Sequence, residues 1–367
     1  MRALGRAAWR TLRTIAGEQE VLALVAGASV FYALFYPTPY LHQVLRDEPV
    51  LVVDRDHTPM SRRFIRWLDA TEGVAIAGRT ADLGAAQEAV RAGTAGGVVL
   101  IPEDFERHVL RREPAVLTTY ADGSFLLVRN TVAGSVNAVA AALGAGIAKK
   151  PAPVGLASWP LFNPLGGYAT FVVPAVFILV LQQTLLIGMG TLGVIERHRI
   201  ASDPEPVWAT LGGIVVVLLG LYLLHAAFMF LVVFRLYGLP VHATPGVAAL
   251  FLIPFITATT LLGLVIGELF ERPESSTLAL VLTSVPALFL SGISFPWENQ
   301  AGWVQAIAVA FPTTFGIRGF VQIGEMGATL AEAWRSWGAL WLQTLIYGLA
   351  AAWLIGRRRR AWREHPV

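Results

Sequence analysis

Three groups of residues have types and spacing that could do chemistry. Asp54, Asp56 and His57 follow a β-branched run, and the loop after a strand often carries a site. Gln182, Gln183 and Thr184 sit midway along an apolar run, and His225 sits inside another. Glu196, Arg197, His198, Arg199, Asp203 and Glu205 crowd a short polar stretch between two such runs. The first group has no second His/Asp cluster at metal-ligand spacing and no G-x-S-x-G nucleophile turn to accompany it. A surface turn rich in Asp, His, Thr and Pro is its plain reading. Glu103, Asp104 and Glu106 after Pro102 read as helix-start charge. Cysteine is absent, which removes disulfides, thiolate metal sites and thiol nucleophiles. Gly188 to Gly193 spells G-x-G-x-x-G, yet a dinucleotide site needs that motif between a strand and a helix. Inside an apolar run, small residues more simply allow close helix approach. No G-x-x-x-x-G-K-[ST] occurs, so the chain has no loop to cradle ATP phosphates.

What positions these residues is a membrane. The chain is 55 % apolar and only 14 % charged, and the apolar excess falls in uninterrupted blocks. Runs long enough to cross a bilayer are Val21–Tyr36, Ala169–Ile195, Ala209–Phe234, Gly246–Gly267, Ser275–Phe295 and Ser336–Gly356. The first could be a signal-peptide core, but Glu18 and Glu20 part it from the arginines and no small-residue cleavage site follows. It is expected to stay as an uncleaved span. Mid-span amides are costly in lipid, so Gln182, Gln183 and Thr184 serve either as ties between helices or as a translocation surface. His225 lacks a carboxylate at its depth and reads as a packed or interfacial histidine rather than a proton relay. Pro174, Pro254 and Pro286 interrupt three of the runs and favour kinks.

Arginine sets the orientation. Arg2, Arg6, Arg10, Arg13, Arg197, Arg199, Arg272, Arg357–Arg360 and Arg363 fall on one side, against Arg235, Arg318 and Arg335 on the other. Both termini are therefore expected in the cytoplasm. The run at 357–360 reads as an orientation signal, with an anionic-lipid patch as the other option. A net charge of +3 gives no reason to invoke nucleic acid. Arginines at 2, 6, 10 and 13, with Leu4, Ala8, Leu12 and Ile15 on another face, predict an amphipathic helix along the inner interface. A frayed basic tail is the alternative.

The fold class is membrane α-helical: six transmembrane helices with a large external mixed α/β domain inserted between helices 1 and 2. Residues 1–20 form the interfacial helix, 21–37 the first span and 38–168 the external domain. Residues 169–356 form a five-helix transmembrane domain with re-entrant segments around 297–320, and 357–367 a basic cytoplasmic tail. In the external domain, strands at 50–54, 74–77, 97–101 and 115–120 alternate with helices at 61–70, 81–92, 105–111 and 124–148. By parity this domain lies outside, in a periplasm if the cell is Gram-negative. Trp303–Phe311 is apolar but too short to span, and so reads as re-entrant or interfacial.

The chain resembles the permease subunits of type-2 ABC exporters, in particular the bacterial multidrug-export branch. The resemblance rests on S-G-x-x-F-P at Ser291, Gly292, Phe295 and Pro296, W-x-Q at Trp303 and Gln305, and Pro312, Thr314 and Arg318. Asn163 to Tyr168, leading into the second span, fits as well. It implies a half-transporter in a bacterial inner membrane: two permease copies or homologues form the pathway and two separate ABC ATPase subunits bind below. ATP and Mg would be held by that partner, with no cofactor and no metal in this chain. It also leaves room for a periplasmic adaptor and an outer-membrane channel, and for contact with membrane lipid. The stretch Glu196–Trp208 occupies the position that docks on the ATPase, although the family's Arg-Glu and Gly-Thr pattern is replaced there. Glu196, Arg197, His198, Arg199, Asp203 and Glu205 are thus the expected coupling residues. Reversing the charges of Glu196 and Arg197 is expected to uncouple transport without harming folding. The cargo is expected to be hydrophobic or amphipathic, in keeping with the apolar spans. A membrane-anchored sensor or scaffold with an external ligand-binding domain is the alternative. Kinked spans, mid-membrane glutamines and re-entrant segments favour transport over it.

Overall fold

The computed structural model describes residues 2–41, 44–121, 125–147 and 167–364. The chain divides into two compact units: residues 1–41 with 161–367, and residues 42–160. The expectation at Asn163–Gly166 and the expected helix ends Ser124 and Ala148 lie outside the described residues.

The first unit is helical. α1 (Arg2–Gly17) turns Ala7, Thr11, Thr14 and Ile15 inward at three- and four-residue spacing. Leu12 and Trp9 are exposed on another face. A Cβ on Gly213 would lie 2.6 Å from Ala7 Cβ, so α1 rests on protein through its small residues. Extended backbone at Glu18 ends α1, and α2 (Gln19–Tyr40) follows.

The second unit is α/β. In it β1 (Glu48–Asp54), α3 (Pro59–Asp69), β2 (Val74–Thr80), α4 (Leu83–Arg91), β3 (Gly97–Ile101), α5 (Phe105–Arg111), β4 (Thr118–Ala121) and α6 (Leu126–Ile147) follow in order. The sheet order is β2-β1-β3-β4, with β1 parallel to both β2 and β3, and β4 antiparallel on β3. The unbroken apolar run Val50–Val53 is explained by burial on both faces. Val50 and Val52 join Phe64, Leu68 and Val136 on one side, while Val53 joins Val98 and Ala86 on the other. The elements fall within a few residues of their expected positions.

The chain then returns to the helical unit. It forms α7 (Tyr168–Ile195), α8 (Arg197–Ser202), α9 (Val207–Leu236), α10 (Pro245–Gly267), α11 (Pro273–Leu290), α12 (Gly302–Ala308), α13 (Pro312–Gly324) and α14 (Trp334–Glu364). Among the described residues, six of the helices, α2, α7, α9, α10, α11 and α14, are long and apolar enough to cross a membrane. The pair α12 and α13 meets at 90°. α7 is buried around nearly its whole circumference and forms the centre of the unit. Proline costs each helix a hydrogen bond. Pro254 frees the Leu250 carbonyl, and the Trp337 indole N–H donates to it at 3.2 Å.

Candidate functional site

The polar stretch after α7 is a junction of helix ends. Asp203 is its hub. Its Oδ1 accepts from Arg10 Nη1 at 2.9 Å and from the Glu205 N–H at 3.1 Å. Its Oδ2 accepts from the Thr210 hydroxyl at 3.0 Å and lies 3.9 Å from Arg359 Nη2. Arg359 reaches in from the end of α14. It donates to the carbonyls of Ile200, at 3.0 Å, and Glu205, and to Thr210 Oγ1 at 2.9 Å. Glu205 pairs with Arg6 at 2.7 Å. Arg199 bridges Glu196, at 2.6 Å, and the Thr14 hydroxyl, at 2.9 Å. Arg197 donates to the Gly267 carbonyl at 3.2 Å and to that of Phe270, which bonds it to the end of α10. Arg358 pairs with Glu268 at the same end. A cavity below α1, lined by Arg10, Thr14, Glu196, Asp203 and Thr210, has room for about one water molecule (≈ 20 Å³).

The electrostatics differ between the acids. Burial would raise the Asp203 carboxyl, but the Glu205 N–H, Arg10 and Thr210 outweigh it and hold it below the ordinary value. At Glu196, burial wins over Arg199 and pushes the carboxyl up. Glu268 is likewise pushed up by burial against the pull of Arg358 and Arg197.

Most of the charges of Glu196–Glu205 are engaged with α1, α10 and α14, because a short helix, α8, turns them there. Reversing Arg197 would break its bonds to the Gly267 and Phe270 carbonyls at the end of α10. What faces outward is His198, Arg199, Ser202, Pro204, Pro206 and Trp208, with Trp208 61 % exposed. The run at 357–360 is also divided. Arg358 and Arg359 are engaged, whereas Arg357 lies over Trp353 and Arg360 is exposed.

A second polar site lies inside the helices. Gln182 is fully buried, and its Oε1 accepts the Thr313 N–H at 2.6 Å while its Nε2 donates to Thr313 Oγ1 at 3.2 Å. It thereby caps α13. Three carbonyls of the α12–α13 bend also find partners. Gln343 donates to the Val309 carbonyl at 2.8 Å and Tyr347 to that of Ala310, while Thr314 donates to that of Ala308 at 2.6 Å. Irregular backbone at membrane depth needs such partners. Thr184 gives its proton to the Val180 carbonyl and shares hydrogen bonds with Ser29, at 2.8 Å, and Tyr222, at 3.1 Å. It thus joins α2, α7 and α9. Gln183 is looser: its Nε2 lies 3.5 Å from Thr283 Oγ1, and its Oε1 has no hydrogen-bond partner among the described residues. His225 is buried with its ring edge-on to Tyr222.

The residues that carry the family resemblance converge on one loop. Gly292 has φ +88°, a left-handed turn that favours glycine. Ser291 is buried, and Pro296 opens the short turn 297–299. Gln305 donates to the carbonyls of Trp297, at 2.8 Å, and Gln300, at 3.2 Å. Arg318 stacks over Trp297 at 4.8 Å. Pro312 opens α13. Phe295 and Trp303 point outward instead.

In the α/β unit, Asp54 accepts from the Asp56 and His57 N–H groups at 3.1 Å and from Ser61 at 2.8 Å, and Asp56 accepts from Thr58 and the Glu106 N–H. These residues close the turn into α3. Among the described residues no group of His, Asp and Glu is arranged to hold a metal. Sequence reasoning missed Arg10, Thr210, Gln343, Tyr347 and Arg359. Gln343 carried the signal already noticed at Gln182, an amide midway along an apolar run.

The family described as ABC-2 family transporter protein matches residues 21–353. The chain is 24 % identical over 352 residues to the inner membrane transport permease YhhJ of Escherichia coli (strain K12), covering 89 % of each chain. The same figures hold for YhhJ of Shigella flexneri. With this match across most of its length, and with six helices fit to span a membrane around a central α7, the chain belongs to the ABC-2 family of transporter proteins.

Proposed function

We propose that this chain is the transmembrane subunit of an ATP-driven exporter in a bacterial inner membrane. It moves a hydrophobic or amphipathic cargo outward, powered by a separate ABC ATPase and working beside a second permease copy. Both termini lie in the cytoplasm, the α/β unit lies outside, and the α12–α13 bend enters the membrane from the outer side. The arginine bias supports this orientation.

The observation that carries the coupling role is the junction around Asp203. α1, the start of α9 and the end of α14 are bonded there to the residues of and after α8, and Arg197 ties in the end of α10, so force on the outward face of α8 reaches several spans together. His198, Arg199, Ser202, Pro204, Pro206 and Trp208 form the surface offered to the ATPase. Glu196, Arg197, Asp203 and Glu205, with Arg199's bonds to Glu196 and Thr14, hold that surface in place. Gln182 and Thr184 are ties between helices, which leaves Gln183, held only by a long bond to Thr283, as the amide to meet a cargo.

The test is co-expression with the P-loop ATPases of the same genome, followed by purification in detergent. The reading expects one of them to co-purify and Trp208→Glu to abolish the association. Failure of every such ATPase to associate refutes it.

A further inference from the structure

We propose that the end of α14 is a working part of this junction, with Arg359 and Asp203 as positioning residues that carry motion of α8 into the last span. This rests on the exporter reading above and names the route that coupling takes.

The argument begins with length. At 1.5 Å per residue, the 31 residues of α14 extend about 46 Å, well beyond the ~30 Å hydrocarbon core. The excess is the arginine-rich end. An orientation signal needs only charge near the interface, and exposed side chains serve. Arg359 is not exposed. It continues the buried stripe of Ala351 and Ile355 at four-residue spacing, and its guanidinium meets four separate groups. Two of these are the carbonyls of Ile200 and Glu205, which lie within and just beyond α8. The third is Thr210 at the start of α9, and the fourth is Asp203, whose other oxygen holds Arg10 of α1.

Arg358, one position earlier, pairs with Glu268 just after α10, the helix end that Arg197 also grips. Two adjacent arginines thus clasp two different connections. A buried ion cluster is weak evidence for stability, since apolar packing often does as well. Its value lies in fixing one arrangement, and this arrangement joins α1, α8, α10 and α14.

The cysteine-free chain suits the test. First, hydrogen exchange is measured on the purified chain. Arg359→Gln is expected to speed exchange at residues 197–206 and 2–17 by about tenfold or more, as loss of a charged hydrogen bond implies, with α7 unchanged. Unchanged exchange at 197–206 overturns the clasp without reference to any ATPase. Second, spin labels are placed at Ser202→Cys with Gly246→Cys, and at Arg360→Cys with Gly246→Cys, in the complex with the co-purified ATPase. In the parent, ATP with vanadate is expected to change both separations. In Arg359→Gln and in Asp203→Asn, the 202–246 change should persist while the 360–246 change is lost. Persistence of both changes in both variants overturns the proposal and leaves the exporter reading intact. No change in the parent refutes the exporter reading itself. Loss of fold alone would abolish both changes together, so the selective loss marks coupling.

Discussion

Replacing Gln182 by leucine separates the two roles open to a mid-membrane glutamine. The two side chains are similar in volume, so the variant leaves little cavity. What it removes is the acceptor of the Thr313 N–H at 2.6 Å and the donor to Thr313 Oγ1 at 3.2 Å. Thr313 lies in the first turn of α13, where no intrahelical carbonyl can take its N–H. A buried donor left unpaired costs ~1–3 kcal/mol, and interhelical hydrogen bonds in membranes contribute ~0.6–2 kcal/mol. The expected loss is therefore about 1–2 kcal/mol, which shifts thermal unfolding in detergent by a few degrees. Gln183→Leu is the control. Among the described residues its Oε1 has no partner to lose and its Nε2 only a long bond to Thr283, so the expected change is within about 0.5 kcal/mol. If water filled a path at Gln182, it would take over the Thr313 N–H and Gln182→Leu would be silent. A silent Gln182→Leu beside a destabilising Gln183→Leu refutes the capping argument.

Other outcomes follow from the same contacts. Glu325 has its carboxyl pushed up to about 8 by burial, so it is neutral at pH 7. The stability it contributes is full below the ordinary carboxylate value and is lost as pH rises through about 8. Unfolding temperature should therefore fall between pH 7 and 9 in the parent and stay flatter in Glu325→Gln; equal slopes would refute this. Gly213→Val puts a branched side chain where Ala7 Cβ lies 2.6 Å and Ala8 N 2.7 Å from a Cβ. It should lift α1, so trypsin cuts after Arg6, Arg10 and Arg13 far faster; an unchanged digest argues against the packing. In the cysteine-free chain, Thr80→Cys should react with an impermeant maleimide from outside and Arg360→Cys only from inside. Reaction of Thr80→Cys from the cytoplasm alone would invert the topology.

Much of this architecture was legible in the residues, for physical reasons that differ by region. Apolar runs over 20 residues long have few fates, so α7, α9 and α10 were found nearly to their ends. The strand Val50–Asp54 showed itself because a run buried on both faces has no polar gaps. The junction was legible only in position. Glu196 to Glu205 look like a solvent-facing polar loop until α1 and α14 are brought against them, and their partners lie up to 199 positions away. The run at 357–360 was legible only as charge for the same reason: four arginines look alike in sequence, and only the helical phase sends Arg359 inward. Gln182 was recognised as needing a partner, but nothing local named Thr313, 131 positions later. The alternative of a sensor or scaffold loses its appeal with the family match, since the match spans the membrane helices and the α/β unit alike.

The central claim is that the chain carries cargo only when a separate ATPase drives it. The most direct measurement is transport of an amphipathic fluorescent dye in proteoliposomes holding the chain with its co-purified ATPase, and holding the chain alone. The account predicts ATP-dependent dye movement by the complex, none by the chain alone with ATP or with a proton gradient, and no ATP hydrolysis by the chain alone. Dye movement driven by a proton gradient through the chain alone, or ATP hydrolysis in a preparation free of any P-loop protein, would contradict it.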